Sequence, residues 1–259
     1  MRIATWNVNS LSARMPRVST WLEQVRPDVL CLQETKTGNE AFPRDALQEL
    51  GYEAAADGQG AYNGVAILSR VGLQDVRSGF AGEPGFPERE HRAIAASCGG
   101  VRVWSLYVPN GRELDSPHYQ YKLAWLRALA PQIGAEIASG AALAVCGDFN
   151  IAPTDRDVWD PAQFVGATHV SEPERLAFRE LLAQGLIDVQ PRALKGEPFT
   201  YWDYRAGNFH KGFGMRIDMV LLGTTLAAGV SDAYIDRDAR KGSKPSDHAP
   251  VVVDVTLAS

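Results

Sequence analysis

AVCGDFNIAPTD, residues 144–155, begins as an apolar strand and stops on Gly147, Asp148, Phe149 and Asn150. A run this apolar suits a strand covered on both faces. A carboxylate and an amide two residues apart are costly at the end of such a strand unless they have a partner. The same ending recurs along the chain. IATWN closes on Asn7, VLCLQE on Glu34, and VWSLYVPN on Tyr107 and Asn110. MRID sets Asp218 at the head of an apolar run, and KPSDHAPVVV sets Asp247 and His248 at the mouth of the last one. Strand ends at one edge of a sandwich converge in space, so these groups can share one site.

Taken singly, each group has a plainer reading. Asn7, Asp148 and Asn150 suit turns. Tyr107 suits a core with its hydroxyl satisfied, Asp218 an ion pair and Asp247 a cap, and a lone His248 is commonly structural. Glu34 is harder to place, because a carboxylate after VLCLQ lies near buried surface and needs either an Arg or a metal. Six such endings at one edge favour the joint reading.

The runs RIATWNV, DVLCLQE, GVAILSR, VRVWSLYV, LAVCGDF, RIDMVLL and PVVVDV read as strands. Val18, Trp21, Leu22 and Val25 follow helical spacing, closed by Pro27. A short helix is expected from Pro43 to Gly51. A third is expected over Tyr119–Ile137, where Pro131 predicts a kink or break. A fourth opens at Ser171-Glu172-Pro173-Glu174 with capping-box spelling and ends at Gly185. Segments 72–92, 151–170 and 203–215 are longer than connectors require. Many strands with fewer helices predict an α/β fold with two packed sheets inside and helices outside.

With 259 residues and no linker or repeat, the chain reads as one domain, 1–259. No apolar run is long enough to span a bilayer. MRIATWNVNS reads as a first strand rather than a signal peptide. Cys31, Cys98 and Cys146 are odd in number and lack metal-ligand spacing, as expected of buried free thiols in a cytoplasmic protein. A net charge of −5 argues against a protein that coats nucleic acid, but not against an enzyme with a local basic face.

Carboxylate and amide oxygens suit a hard cation such as Mg²⁺ or Mn²⁺. Asn, Tyr and His can hydrogen-bond a phosphate, and an Asp held by an Asn can deprotonate a water. No P-loop, HExxH, GxSxG or GxGxxG is present. The set therefore reads as metal-assisted hydrolysis of a phosphodiester or phosphomonoester.

WNVNSL, LQETK, YVPNG, GDFN, MRID and PSDHAP resemble, in order and spacing, the motifs of the exonuclease III family of abasic-site endonucleases, within the endonuclease/exonuclease/phosphatase superfamily. The likeness covers essentially the whole chain. GDFN and SDH mark only the superfamily, whereas YVPNGRELDSPHYQYKLAWL and YWDYR with MRID resemble the bacterial DNA-repair branch. The resemblance implies a deoxyribonuclease I-like four-layer sandwich, two packed mixed β-sheets flanked by helices.

It also implies roles. Glu34 is the principal Mg²⁺ ligand, Mn²⁺ substituting, with Asp247 and Asn7 in the metal and phosphate neighbourhood. Asp148 orients and deprotonates the attacking water, Asn150 fixes Asp148 and contacts the phosphate, and both are candidate metal ligands as well. His248, oriented by Asp218, stabilises charge on the scissile phosphate, and Tyr107 contacts the phosphate or protonates the leaving oxygen. Tyr201, Met215 and Ile217 line a small apolar pocket for a base-less sugar, with Trp202 nearer the core. Asn9 and Arg112 are expected at the substrate, and Asn9 stands where some eukaryotic relatives carry Asp. Arg205, Lys211, Arg216, Lys241 and Lys244 are expected on the DNA face.

The implied protein is a monomer of the bacterial cytosol and nucleoid, with no membrane partner. It acts on double-stranded DNA at abasic sites and 3′ ends, as abasic endonuclease, 3′→5′ exonuclease and 3′-end-cleaning phosphodiesterase or phosphatase. Two other readings compete. One is a superfamily phosphatase or phosphodiesterase acting on a small molecule or lipid headgroup, which the acidic balance favours. The other is a DNA-binding module without catalysis, which the intact Glu34, Asp148, Asn150, Asp218 and His248 argue against.

Overall fold

The computed structural model describes residues 1–257. Its strands are β1 (Arg2–Asn7), β2 (Val29–Gln33), β3 (Glu53–Asp57), β4 (Val65–Ser69), β5 (Gln74–Ser78) and β6 (Ala93–Cys98). They continue with β7 (Val101–Tyr107), β8 (Leu143–Asp148), β9 (Leu186–Asp188), β10 (Arg192–Ala193), β11 (Asp218–Gly223), β12 (Val230–Ile235) and β13 (Val251–Val255). One sheet has the order β10-β12-β13-β1-β2-β4-β3 and the other β5-β6-β7-β8-β11-β9. Both mix parallel and antiparallel pairs.

The helices are α1 (Leu11–Val25), α2 (Arg44–Glu49), α3 (Pro117–Ala138), α4 (Glu172–Leu182), α5 (Asn208–Lys211) and α6 (Thr224–Ala227). Three apolar cores separate four layers. Val18, Trp21 and Leu22 of α1 and Leu47 of α2 pack on Ala4, Trp6, Leu30 and Leu32 of the first sheet. Ile3, Cys31, Ile67 and Val253 meet Val103, Ala144, Cys146 and Val220 between the sheets. Trp125 and Leu129 of α3 and Phe178 of α4 cover Trp104, Val145 and Met219 on the far side. This is the expected sandwich.

Side chains alternate across a strand, and that alternation positions the polar ends. Ile3 and Thr5, Val103 and Ser105, Ala144 and Cys146, and Val220 and Leu222 all face the gap between the sheets. Asn7, Tyr107, Asp148 and Asp218 continue the same rows at one end of it. Beneath them lies a buried polar floor: Thr5 Oγ1 donates to Gln33 Oε1 (3.1 Å), Gln33 Nε2 to Ser105 Oγ (3.1 Å), and Ser105 Oγ to Leu32 O (3.1 Å). Gly147 lets β8 close on β7, since a Cβ there would lie 2.0 Å from Leu106 O. Asp148 consequently sits in register with Tyr107 on one side and Asp218 on the other.

Three sequence expectations are refined. α1 ends at Val25, capped by Arg26, which takes a left-handed conformation and donates its N–H to Leu22 O ahead of Pro27. α4 starts with the expected Ser171–Glu174 capping box, but its last helical residue is Leu182, short of Gly185. α3 runs through Pro131 unbroken. Pro131 and Arg127, whose carbonyl loses its partner, are both exposed, so water can take that carbonyl while the opposite face stays packed. All three cysteines are buried and free. Among the described residues no helix is long and apolar enough to cross a membrane.

Candidate active site

Glu34, Asp148 and His248 each offer a ligand atom, all within 4.8 Å of one another. Asn7 joins the two acids, its Nδ2 donating to Glu34 Oε1 and to Asp148 Oδ2, both at 2.9 Å. Its Oδ1 accepts the Asn9 N–H at 3.0 Å. On the far side of Asp148, His248 Nδ1 meets Asp218 Oδ2 at 2.8 Å, leaving Nε2 3.9 Å from Asp148 Oδ2. The expected Asp218–His248 hydrogen bond is therefore present, and Asp148 lies between it and Glu34.

Burial and these neighbours set the protonation states. Burial works against charge on His248, yet Asp218, with Asp148 and Asp247 adding to it, pushes its pKa up to about 10. Burial and the Asp218 charge raise Asp148 to about 7, against the pull of His248 and Asn7. Burial also opposes ionisation of Glu34, but the Asn7 amide and the Lys36 ammonium hold it below the usual carboxylate range. Burial, with Glu34 nearby, keeps the Tyr107 proton on well above the usual phenol range. At neutral pH the site thus pairs a cationic imidazole with a carboxylate poised to gain or lose a proton, as a general base requires.

A polar chain leads outward from Glu34. Lys36 Nζ lies 2.9 Å from Glu34 Oε2 and donates to Asn9 Oδ1 at 2.6 Å, and Asn9 Nδ2 donates to Asp247 Oδ1 at 3.1 Å. Asp247 thus reaches the acids through Asn9 and stands outside the 4.8 Å group. Lys36 was not singled out from the sequence, although it lies in LQETK, two residues from Glu34. Arg92 was missed too: its guanidinium stacks 4.6 Å from the Tyr107 ring centre, held by Glu90. Only the folded register of β6 on β7 discloses that pairing.

The turns that present these groups are left-handed. Asn9, Glu34, Arg112 and Asn150 all take positive φ, between 44° and 60°, a region non-glycine residues seldom occupy. The Asn150 N–H donates to Asp148 Oδ1 at 2.9 Å. Asn150 therefore fixes Asp148 through its backbone. Its side chain bonds Val108 O and Asn110 Nδ2. Arg112 is exposed, with no ion pair to its guanidinium among the described residues.

Beside His248 sits a fourth, small apolar cluster. Met215 and Ile217 pack with Ala152 and Val158, and Tyr201 lies against them. Tyr201 and Met215 exchange backbone hydrogen bonds, and the Tyr201 ring centre is 4.9 Å from that of His248. The three residues expected to line a pocket are thus brought together, Tyr201 being the half-buried member. Trp202 points into the core between the sheets, as expected. Of the expected DNA-face cations, Arg205, Lys211, Lys241 and Lys244 are exposed. Arg216 is not. It is 2 % exposed and bonded to Asp157 (2.6 Å) and Asp188 (2.8 Å and 3.0 Å), tying the 151–170 segment to β9. Following Met215 in a period-2 segment, it faces away from the cluster.

The donors suit a metal. His248 is engaged through Nδ1 by Asp218. The Glu34 and Asp148 carboxylates remain, an all-oxygen set appropriate to a hard divalent cation.

The chain as a whole is similar to known proteins. The model of the Endonuclease/Exonuclease/phosphatase family matches residues 4–248. Exodeoxyribonuclease III of Haemophilus influenzae is 30 % identical over 97 % of this chain and 98 % of its own. The 3′ phosphatase NExo from Neisseria, in a structure bound to product DNA hairpin, superposes with a TM-score of 0.95 at 41 % identity, covering 99 % of this chain and 100 % of that one. An AP endonuclease from Archaeoglobus fulgidus gives a TM-score of 0.93 at 36 % identity, with the same coverage.

Proposed function

Because the chain belongs to the endonuclease/exonuclease/phosphatase family, we propose that it cuts phosphodiester bonds 5′ to abasic sites in double-stranded DNA and processes 3′ ends as exonuclease and phosphatase. It is a DNA-repair nuclease. The observation that supports this mechanism is the grouping of Glu34, Asp148 and His248, with His248 bonded to Asp218 and the Asp148 carboxyl raised to about 7.

In this reading Asp148 is the general base. Its two oxygens are held by the Asn7 amide and the Asn150 N–H, which aims a remaining lone pair at a water. His248, charged and locked by Asp218, places its Nε2–H on the scissile phosphate and stabilises negative charge there. Tyr107 keeps its proton and can donate it to the phosphate or the departing oxygen. Glu34 would hold the divalent cation, with the Asp148 carboxylate beside it and Asn7 and Asp247 in the neighbourhood, while the Asn150 side chain is taken by Val108 O and Asn110. When bound, Mg²⁺, or Mn²⁺ in its place, supplies Lewis-acid polarisation of a phosphoryl oxygen. Asn9 and Arg112 contact the DNA backbone. Tyr201, Met215 and Ile217 accept an extrahelical sugar without a base. The enzyme works as a monomer in the bacterial cytosol and nucleoid.

One gel tests this reading. A labelled duplex with one abasic-site analogue, a 3′-phosphate duplex, an intact duplex and a small phosphomonoester are each incubated with the enzyme and Mg²⁺. Cutting beside the lesion and trimming of the 3′ end are expected. Phosphate release from the small substrate with every DNA untouched would move the chain to the phosphatase branch.

A further inference from the structure

Lys122 on α3 and Glu174 on α4 form an ion pair with both side chains fully buried. Such a pair is commonly no more stabilising than apolar residues of the same volume, so its other contacts carry the interest. Lys122 Nζ also donates to Asn150 O at 2.6 Å and to Asn110 O at 3.2 Å. Glu174 accepts from Thr168 Oγ1 (2.7 Å), the His169 N–H (2.9 Å) and the Ser171 N–H (3.2 Å). Thr168 Oγ1 also lies 3.2 Å from Asn110 O, and His169 Nδ1 bonds Asn150 O. One buried cation therefore joins the turn after β7, the turn after β8 and the segment before α4.

Asn150 is the residue that gains from this. Its φ of 50° is a left-handed turn conformation that asparagine tolerates, and that conformation aims its N–H at Asp148 Oδ1. Asn110, fixed by the same ammonium, donates from its Nδ2 to Asn150 Oδ1.

We propose that Lys122 is a positioning residue for hydrolysis, clamping the carbonyls of Asn110 and Asn150 so that the Asn150 N–H stays on Asp148. This rests on the reading of Asp148 as the base. Lys122 itself is fully buried and touches no substrate.

The test uses the full chain with Mg²⁺ and a 3′-phosphate duplex, reading kcat, KM and melting temperature. The double variant Lys122→Met/Glu174→Leu replaces the pair with apolar volume. It strands the donors of Thr168, His169 and Ser171 and should therefore melt below the wild type; well below that melting temperature it should lose about 10–100-fold in kcat with little change in KM, as a small misplacement of a reacting group does. Wild-type kcat, or a loss confined to KM, overturns the proposal. Thr168→Val, a mild change, should lower kcat a few-fold at constant KM, and an unchanged kcat there counts against the clamp even if the double variant does not fold. Added to Asp148→Asn, the double substitution should cost nothing further, because the two act as one unit. A fully additive loss overturns the route through Asp148. Near-normal turnover by Asp148→Asn alone would instead remove the base assignment.

Discussion

Asp148 and Asp218 stand directly opposite each other on adjacent antiparallel strands, and His248 separates their charges. The imidazole lies 2.8 Å from one carboxylate and 3.9 Å from the other. Like charges opposite one another destabilise a sheet, so this register would be unfavourable without a cation between them. The arrangement assigns unlike roles to two like residues. Asp218 is wholly buried and bonded to Nδ1, whereas Asp148 is shared among Asn7, Asn150 and the open end of the gap.

Asp148→Asn should therefore lower single-turnover cleavage by about 10²–10⁴-fold, the range typical of losing a general base. DNA affinity, measured by fluorescence anisotropy, should be nearly unchanged because the phosphate contacts remain. Near-normal turnover would show that another group takes the proton.

Asp218→Asn should release His248 toward the ordinary imidazole pKa of 6.5 from its value of about 10, observable by NMR titration of the ring protons. The sign for stability follows. A folded-state pKa above the unfolded one contributes stability that is complete below about 6.5 and is lost as pH rises through about 10. The wild-type melting temperature should thus fall across that window, and that of Asp218→Asn should fall less. Parallel curves would mean that His248 is not the titrating group.

Most of this site is legible in the sequence because strand alternation converts spacing into direction. Asn7, Tyr107, Asp148 and Asp218 each continue an inward-facing row, so apolar runs with polar ends give both the sandwich and the site. What escapes is pairing across the fold. Lys122 and Glu174 are 52 residues apart, and nothing around Lys122 distinguishes it from a surface lysine on a helix. Arg92 escapes for the same reason, since its place over Tyr107 is set by strand register, and so does the Lys36 contact with Asn9 across β1 and β2, although Glu34 lies only two residues away. Pro131 misleads in the other direction: propensity marks a break, and packing of the opposite face overrides it.

Glu34 should govern the metal. Chelation should abolish activity, and Mg²⁺ or Mn²⁺ should restore it. Glu34→Gln should raise the Mg²⁺ concentration for half-maximal rate by at least about tenfold, since loss of even an outer-shell partner costs metal sites about 10–100-fold. An unchanged metal requirement would move the cation elsewhere in the site.

Met215→Ala should reduce discrimination between abasic and intact duplex more than it slows cutting, since Met215 belongs to the apolar cluster with Tyr201 and Ile217. Truncating a buried methionine also costs about 2–5 kcal/mol, so the ratio of kcat/KM values is read well below the melting temperature. Equal losses on both substrates would separate the cluster from lesion recognition.

Arg216 offers the sharpest separation of fold from function, because its sequence neighbours place it at the DNA face and its side chain turns away. Removing one partner of a buried ion pair leaves charge uncompensated and costs about 3–5 kcal/mol. Arg216→Met strands Asp157 and Asp188 together. The variant should therefore melt well below the wild type in a thermal scan, while at low temperature its KM for DNA stays the same. Asp157 also caps the turn at Thr154 through its other oxygen, so the 151–170 segment should be the first to open, seen as early hydrogen exchange there. A raised KM with an unchanged melting temperature would instead return Arg216 to the DNA face.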